Sequence, residues 1–341
     1  MKLITFGVPC YNSEAYMRKC LDSLLIGGGE VEIIIVNDGS SDSTPAIANE
    51  YRRRYPRIVR VVHKQNGGHG SGVNKGLELA TGLYYKVVDS DDWLDADALK
   101  KLLNAIKQCL ALGNLPDLII CDYVYEHVAD NTQKRIKYSR LMPKDRVFTW
   151  DEVKNFPIAN VMSIHALVYK TQSLRESGIV LPEHTFYVDN ILAYKPLPYT
   201  RKLFYMDIDL YHYFIGRSDQ SVNINNLVKR YAQHVRVMKE IIDAYSYEDI
   251  IKLPKPLKNY MLHYIGTIAM NTLLFMGAED SPERRRDYKE FWQYFKGRDL
   301  RLYRKIRHFS YPAITNLMPW RFRGWAMVLG YKILCKVLKL G

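Results

Sequence analysis

A chain of 341 residues with 48% hydrophobic and 25% charged side chains has ordinary globular composition and can bury a substantial core, which excludes a disordered or low-complexity protein. Its five cysteines (Cys10, Cys20, Cys109, Cys121, Cys335) are scattered and show no paired metal spacing, which argues against zinc and for a reducing compartment. The net charge of +13 sits at one end: residues 282–341 hold 15 of the Lys and Arg but only 4 of the Asp and Glu, a tail suited to a polyanionic surface. Over the first 125 residues, strands are predicted at 3–8, 31–36, 58–62, 83–88 and 118–121, and helices at 14–25, 44–54, 71–80 and 95–109. This alternation predicts βαβ units around a mostly parallel, Rossmann-like sheet flanked by helices, with ligands at the carboxyl ends of strands. Polar clusters fall at those ends, at 9–13, 37–43, 65–72 and 89–92. Periodicity weakens over 123–151, and the segments 161–170 and 205–214, with a short helix at 171–176, are expected to complete the sheet. Beyond Asn226 the pattern is helical, at 227–245, 256–276, 283–308 and 320–340. No uninterrupted apolar run reaches transmembrane length and Pro9 breaks the first apolar run early, so neither a spanning helix nor a signal peptide is expected, and the chain should stay cytoplasmic.

Asp89-Ser90-Asp91-Asp92 follows directly on the apolar run 83–88. Clustered carboxylates at a strand end form a site for a hard divalent cation, Mn²⁺ or Mg²⁺, because such ions prefer carboxylate oxygens and share them with phosphates. A helix N-cap needs only one aspartate, whereas three within four residues repel one another unless a positive charge lies among them. Earlier, the run 36–44 ends a strand with Asp38, turns on Gly39 and offers Asp42 or Ser43 as a cap; a carboxylate there can accept from a base edge or a ribose hydroxyl. Together with Val8-Pro9-Cys10-Tyr11-Asn12, the order and spacing of these motifs resemble the family 2 glycosyltransferases, which share the GT-A fold. The resemblance covers residues 1–225, read as the nucleotide-sugar-binding catalytic domain, and leaves 226–341 as a helical basic extension.

The resemblance implies roles for named residues. Pro9 and Tyr11 would frame the nucleotide pocket, Tyr11 by stacking, with Asn12 beside them; Asp38 would recognise uracil or another base; Asp89 would face the ribose, Asp91 the metal, and Asp92 would orient the site. The segment 66–76 looks like the family's glycine-containing stretch, with Gly67 and Asn74 in the donor-binding set: glycines let backbone approach a phosphate, and the following helix points its positive end there. Val73 stands where the family often has Arg, so charge balance would pass to the metal, to His69 or Lys75, or to a distant Arg. Phe186-Tyr187-Val188-Asp189-Asn190 falls where the family carries a Glu-Asp pair, which makes Asp189 the general base, with a helix cap as its structural alternative and Glu183 and His184 as weaker bases. An unperturbed Asp, with a pKa of ~3.9, is ionised at neutral pH. The segment 211–222 resembles the family's closing loop, in which Arg217 would stabilise the departing diphosphate, Ser221 would touch the donor, and His212 would be a third metal ligand or a packed ring. Phe214 stands where many relatives have another Arg.

In the tail, tryptophans and lysines around an apolar stripe at 320–340 describe a helix lying in an anionic membrane interface, with a helix packed on the catalytic domain and a solvated basic face as the alternative, and nothing resembles a nucleic-acid module. The combined expectation is a metal-dependent inverting glycosyltransferase, peripheral on the inner membrane face. It would move a sugar from a nucleotide-sugar, most simply a UDP-sugar, to a hydroxyl of a lipid-linked or cell-envelope glycan. Two alternatives stand beside it. A sugar-phosphate nucleotidyltransferase would need a glycine-rich phosphate loop with Arg and Lys, which residues 7–12 lack. A non-catalytic, membrane-tethered nucleotide-sugar-binding module would suit Val73 and Val188.

Overall fold

A computed structural model describes residues 1–127, 131–158, 160–215 and 224–313. Arg217, Ser221 and the helix expected over 320–340 lie outside the described residues. The chain forms two compact units, one of Met1–Val153 with Met162–Ile215 and one of Lys154–Val161 with Gly216–Gly341.

The first unit runs β1 (Ile4–Cys10), α1 (Met17–Leu25), β2 (Val31–Asp38), α2 (Thr44–Arg54), β3 (Val59–Lys64), α3 (His69–Leu79), β4 (Tyr84–Val87), β5 (Trp93–Leu94), α4 (Ala96–Ala111), β6 (Leu118–His127), β7 (Thr132–Ile136), β8 (Val147–Thr149), β9 (Leu167–Lys170), α5 (Thr171–Glu176), α6 (Asp189–Tyr194) and β10 (Lys202–Ile215). The strands join in one sheet of order β3-β2-β1-β4-β9-β6-β10-β5, with β7 on β6 and β8 on β10. Strands β3, β2, β1, β4, β6 and β10 share one direction, and β9 runs against its neighbours β4 and β6. Every residue of β1 and β2 is buried, which is why both read as near-continuous apolar runs rather than alternating ones.

The mostly parallel sheet expected from the sequence is present, but several strands run further than their apolar stretches. Asn37 and Asp38 stay in register with His63 and Lys64, so β2 and β3 carry polar residues to the sheet edge. β6 extends to His127 because β10 and β7 pair with it along that length. Trp93 and Leu94 pair with His212 and Tyr211 of β10 before α4 begins. The cap of α4 is Asp95, whose carboxylate accepts from the Asp97 and Ala98 amides at 3.0 and 2.8 Å, so the Asp89–Asp92 cluster is left for other work.

The second unit is helical: α7 (Ile224–Lys229), α8 (Tyr231–Ala244), α9 (Tyr247–Ile251), α10 (Lys255–Gly277), α11 (Pro282–Arg298) and α12 (Leu300–Phe309). α10 is the central helix, buried over most of its length. Two predicted helices are each broken in two. The break at Asp299 is an N-cap: one carboxylate oxygen accepts the Leu302 amide at 2.8 Å and the other the Tyr247 amide at 2.7 Å. Tyr288, Phe291, Trp292 and Phe295 are buried, so the aromatics interleaved with the basic tail form a core and the charges line its outside. Arg284 is the exception. Only 6% exposed, it lies over the Tyr231 ring and donates to the Phe275 and Val228 carbonyls and to Glu279 at 2.9, 3.1 and 2.9 Å. Among the described residues no helix is long and apolar enough to cross a membrane.

Arg284→Ala strips two buried carbonyls of their donor and should cost about 2–4 kcal/mol. Urea denaturation of the full chain checks this, and an unchanged midpoint would refute the structural role.

Candidate active site

The acidic turn is held rigidly from one side. Val88 is fixed to the Gly7 carbonyl at 3.0 Å, and the chain then reverses through residues 89–92, closed by the Asp92 amide donating to the Asp89 carbonyl at 3.0 Å. Asp92 is 1% exposed. Its carboxylate accepts the Phe214 amide at 2.8 Å and the Tyr211 hydroxyl at 2.5 Å, and that hydroxyl accepts the Asp89 amide at 3.2 Å. Three contacts to β10 therefore hold the turn in place. Asp89 meets His69 Nε2, on the first residue of α3, at 2.8 Å.

A third group arrives from the antiparallel return. His165, in a 3-10 turn just before β9, places a ring nitrogen within 4.8 Å of carboxylate oxygens of Asp89 and Asp92. Its ring stacks on Tyr213 with centroids 4.6 Å apart, and the Ser163 hydroxyl meets its Nδ1 at 2.9 Å, which fixes its orientation. Behind it Lys86, 1% exposed, donates to the His165 and Leu167 carbonyls at 2.7 and 3.3 Å.

Electrostatics show which charges are balanced. Burial works against ionised Asp89, but His69, His165 and Lys86 outweigh it and hold its carboxyl below the usual range. Asp92 goes the other way: burial, then the charges of Asp91 and Asp89, push it well up. Burial lowers His165 to about 4 and Lys86 to about 8, so His165 is a neutral imidazole at physiological pH. His69 loses charge stability to burial but gains more from Asp89, Asp189 and Asp91, and its pKa is raised. Two carboxylates and a neutral imidazole around uncompensated negative charge are compatible with a divalent cation.

The glycine segment is a clamp. Asp38 is buried and its two oxygens accept the Gly67 and Gly68 amides at 2.9 and 2.7 Å and Lys64 Nζ at 2.8 Å. Gly68 has φ +82, a left-handed conformation that favours glycine, and a Cβ there would stand 3.1 Å from the His184 amide. That amide donates to the Gly67 carbonyl at 2.7 Å. Asn74 pairs through both ends of its amide with the Leu181 backbone, at 2.8 and 2.9 Å. The segment leading to Asp189 is thus tied to the loop and to α3. Asp189 opens α6, where no side-chain capping bond forms. Burial raises its carboxyl to about 6, His69 pulls it down and Asp89 raises it, so the three groups face one another electrostatically.

The remaining expected residues are placed as follows. Pro9 lies in β1, so close to α3 that a Cβ on Gly72 would come within 2.8 Å of it. Tyr11 is 57% exposed beside it. Asn12, at φ 49, accepts the Ser41 amide at 2.9 Å and joins the first two loops. Lys75 pairs with Glu78 on the surface, and Val73 is 2% exposed. His212 Nδ1 meets Glu126 at 2.6 Å and its ring stacks on Trp93. Among the described residues, Asp89, Asp92 and His165 bring possible ligand atoms within 4.8 Å of one another, Asp91 contributes its charge to the cluster, and His212 is held by Glu126. His165 and Lys86 were missed by sequence reasoning because neither stands in a motif, and only the β4-β9-β6 pairing brings them under the turn.

Residues 5–164 match the family model for Glycosyl transferase family 2. EpsH of Bacillus subtilis is 30% identical over 243 residues, which cover 67% of this chain and 63% of EpsH. The poly(ribitol-phosphate) beta-glucosyltransferase of Bacillus spizizenii is 38% identical over 109 residues, 31% of this chain and 17% of that protein. The chain thus spans less than two thirds of the length of these relatives. TarS of S. aureus, residues 1–349, superposes with a TM-score of 0.62 at 20% identity over 95% of this chain and 85% of TarS, and TarS has also been solved with UDP-GlcNAc. With the sheet order, the acidic turn and these matches in agreement, the chain belongs to glycosyl transferase family 2 and has the GT-A fold.

Proposed function

We propose that this protein transfers a sugar, with inversion, from a UDP-sugar to a hydroxyl of a cell-envelope glycan. The observation that carries the reading is the mutual electrostatic influence of Asp189 and the Asp89–His69 pair beside the acidic turn. The acceptor hydroxyl gives its proton to Asp189 as its oxygen bonds to the anomeric carbon, and the bond from that carbon to the diphosphate breaks, its electrons leaving with UDP. One displacement inverts the centre, so a second carboxylate on the other sugar face is not required. Asp89, Asp92 and His165 would hold a divalent cation, which when bound supplies positive charge against the departing diphosphate. His69 adds charge of the same sign at the amino end of α3, while Asp38 and Asn74 keep the glycine segment and the Asp189 segment in place.

The TarS complex with UDP-GlcNAc supports a uridine donor, and the poly(ribitol-phosphate) relative supports a polymer acceptor. We assign chemistry to the first unit and attachment to the second. The excess of Lys and Arg over 282–341 supports peripheral association with the anionic inner membrane face.

Asp189→Asn should lower turnover about 10²–10⁴-fold while UDP binding is retained. UDP release from UDP-GlcNAc in the presence of an envelope glycan fraction measures the first and calorimetry the second; wild-type turnover in the variant would remove Asp189 from the reaction. Because the base must be ionised and its carboxyl is raised to about 6, kcat/KM should fall tenfold per pH unit below about pH 6 and level off above it. A flat profile from pH 5 to 8 would assign the proton transfer elsewhere. His165→Ala removes the nitrogen donor and should weaken activation by Mn²⁺ about 10–100-fold, with a smaller effect on Mg²⁺. Equal loss with both ions would place His165 in packing alone.

A further inference from the structure

The second unit carries a cavity of about 360 Å³ that the transfer reaction leaves unexplained, lined by Lys154, Asn155, Phe156, Asn259, Tyr260 and Lys305 among others. Its make-up is distinctive. No carboxylate lines it. Several arginines of the same unit pair with acids, as Arg285 does with Asp280, Arg298 with Asp243 and Arg301 with Glu248. Lys154 and Lys305 have no such partner among the described residues, and neither do the Asn155 and Asn259 amides. Asn259 and Tyr260 lie near the start of α10, whose first turn holds no acidic residue, so the positive end of a 23-residue helix adds to the two ammonium groups.

The walls are aromatic and built. Phe156 packs on Tyr260 with ring centroids 4.5 Å apart. His263 fixes the floor: its Nε2 donates to the Asn160 carbonyl at 2.8 Å, which leaves Nδ1 to accept the Tyr311 hydroxyl at 2.8 Å. Rings that stack on the apolar faces of sugars or polyols, amides that exchange hydrogen bonds with hydroxyls, and unpaired cations that bind phosphate oxygens define one ligand class. We propose that this cavity binds a phosphate-bearing glycan or polyol, and thus holds the acceptor polymer by a segment other than the hydroxyl that reacts. The assignment rests on the glycosyltransferase reading and names the acceptor as phosphate-bearing. A membrane surface needs a convex basic face, whereas this site is concave and walled by rings and amides.

Binding of a ribitol-phosphate oligomer to the full chain, followed by calorimetry, tests it without dependence on turnover. UDP release from UDP-GlcNAc by the unmodified chain tests the transferase reading separately. The oligomer should bind while maltotriose, a neutral glycan, does not. The double variant Lys154→Ala/Lys305→Ala should lose affinity about tenfold or more, and Lys154→Arg/Lys305→Arg should retain most of it. Equal binding of maltotriose, or an unchanged affinity in the alanine variant with its urea midpoint intact, would overturn the proposal. So would loss of co-sedimentation with phosphatidylglycerol vesicles in that variant while oligomer binding persists, because the lysines would then serve the membrane.

Discussion

The site depends on one electrostatic constraint: carboxylates at the end of β4 must be kept close together without protein cations sufficient to neutralise them all. Two positive groups approach, His69 from α3 and Lys86 from within the sheet, and their effect reaches Asp89 far more than Asp92. Asp92 is instead immobilised by two hydrogen bonds from β10, with burial and like charge both opposing its ionisation. A cluster balanced on one side and left short of positive charge on the other is compatible with a bound cation, because a fully neutralised one would have nothing to offer an ion.

That constraint explains much of the surrounding architecture. The turn can be rigid only if β10 lies beside it, and β10 reaches it because β9 and β6 intervene and pair along most of their length. The same arrangement brings His165 under the turn and packs it between Tyr211 and Tyr213. Its partial burial among these rings disfavours the charged form, so His165 is neutral and able to donate a lone pair. On the opposite side, Asp38 and Asn74 spend their hydrogen-bonding capacity on backbone, Asp38 on the loop amides and Asn74 on Leu181. Residues whose motif positions point to ligand contact therefore also organise the backbone that meets the ligand.

The parallel half of the sheet and the acidic turn were legible in the sequence because they arise from local pattern: apolar runs closed by polar clusters at regular spacing. The antiparallel additions were not. β5 is two residues long, and β7 and β8 are exposed or mixed in character, so no apolar period marks them. His165 was invisible for the same reason, since its place depends on pairings between segments about fifty and about eighty-five residues apart in the chain. In the second unit the alternation of Arg with aromatics at 284–303 has a helical explanation: the rings face inward as core, and Arg284 is buried as a bridge between carbonyls. Composition alone does not distinguish that from a surface-binding stretch.

The place of Val73 beside the site follows from helix geometry. Positions 69 and 73 are one turn apart and share a face of α3. Val73 is 2% exposed, and the side chain that meets Asp89 stands one turn nearer the amino end, on His69. At that end an imidazole reaches Asp89 directly, and it adds to the positive end of the helix dipole rather than lying farther along the axis. Asp89, Asp189 and Asp91 raise the pKa of His69, so the acidic turn favours the charged form of the group beside it.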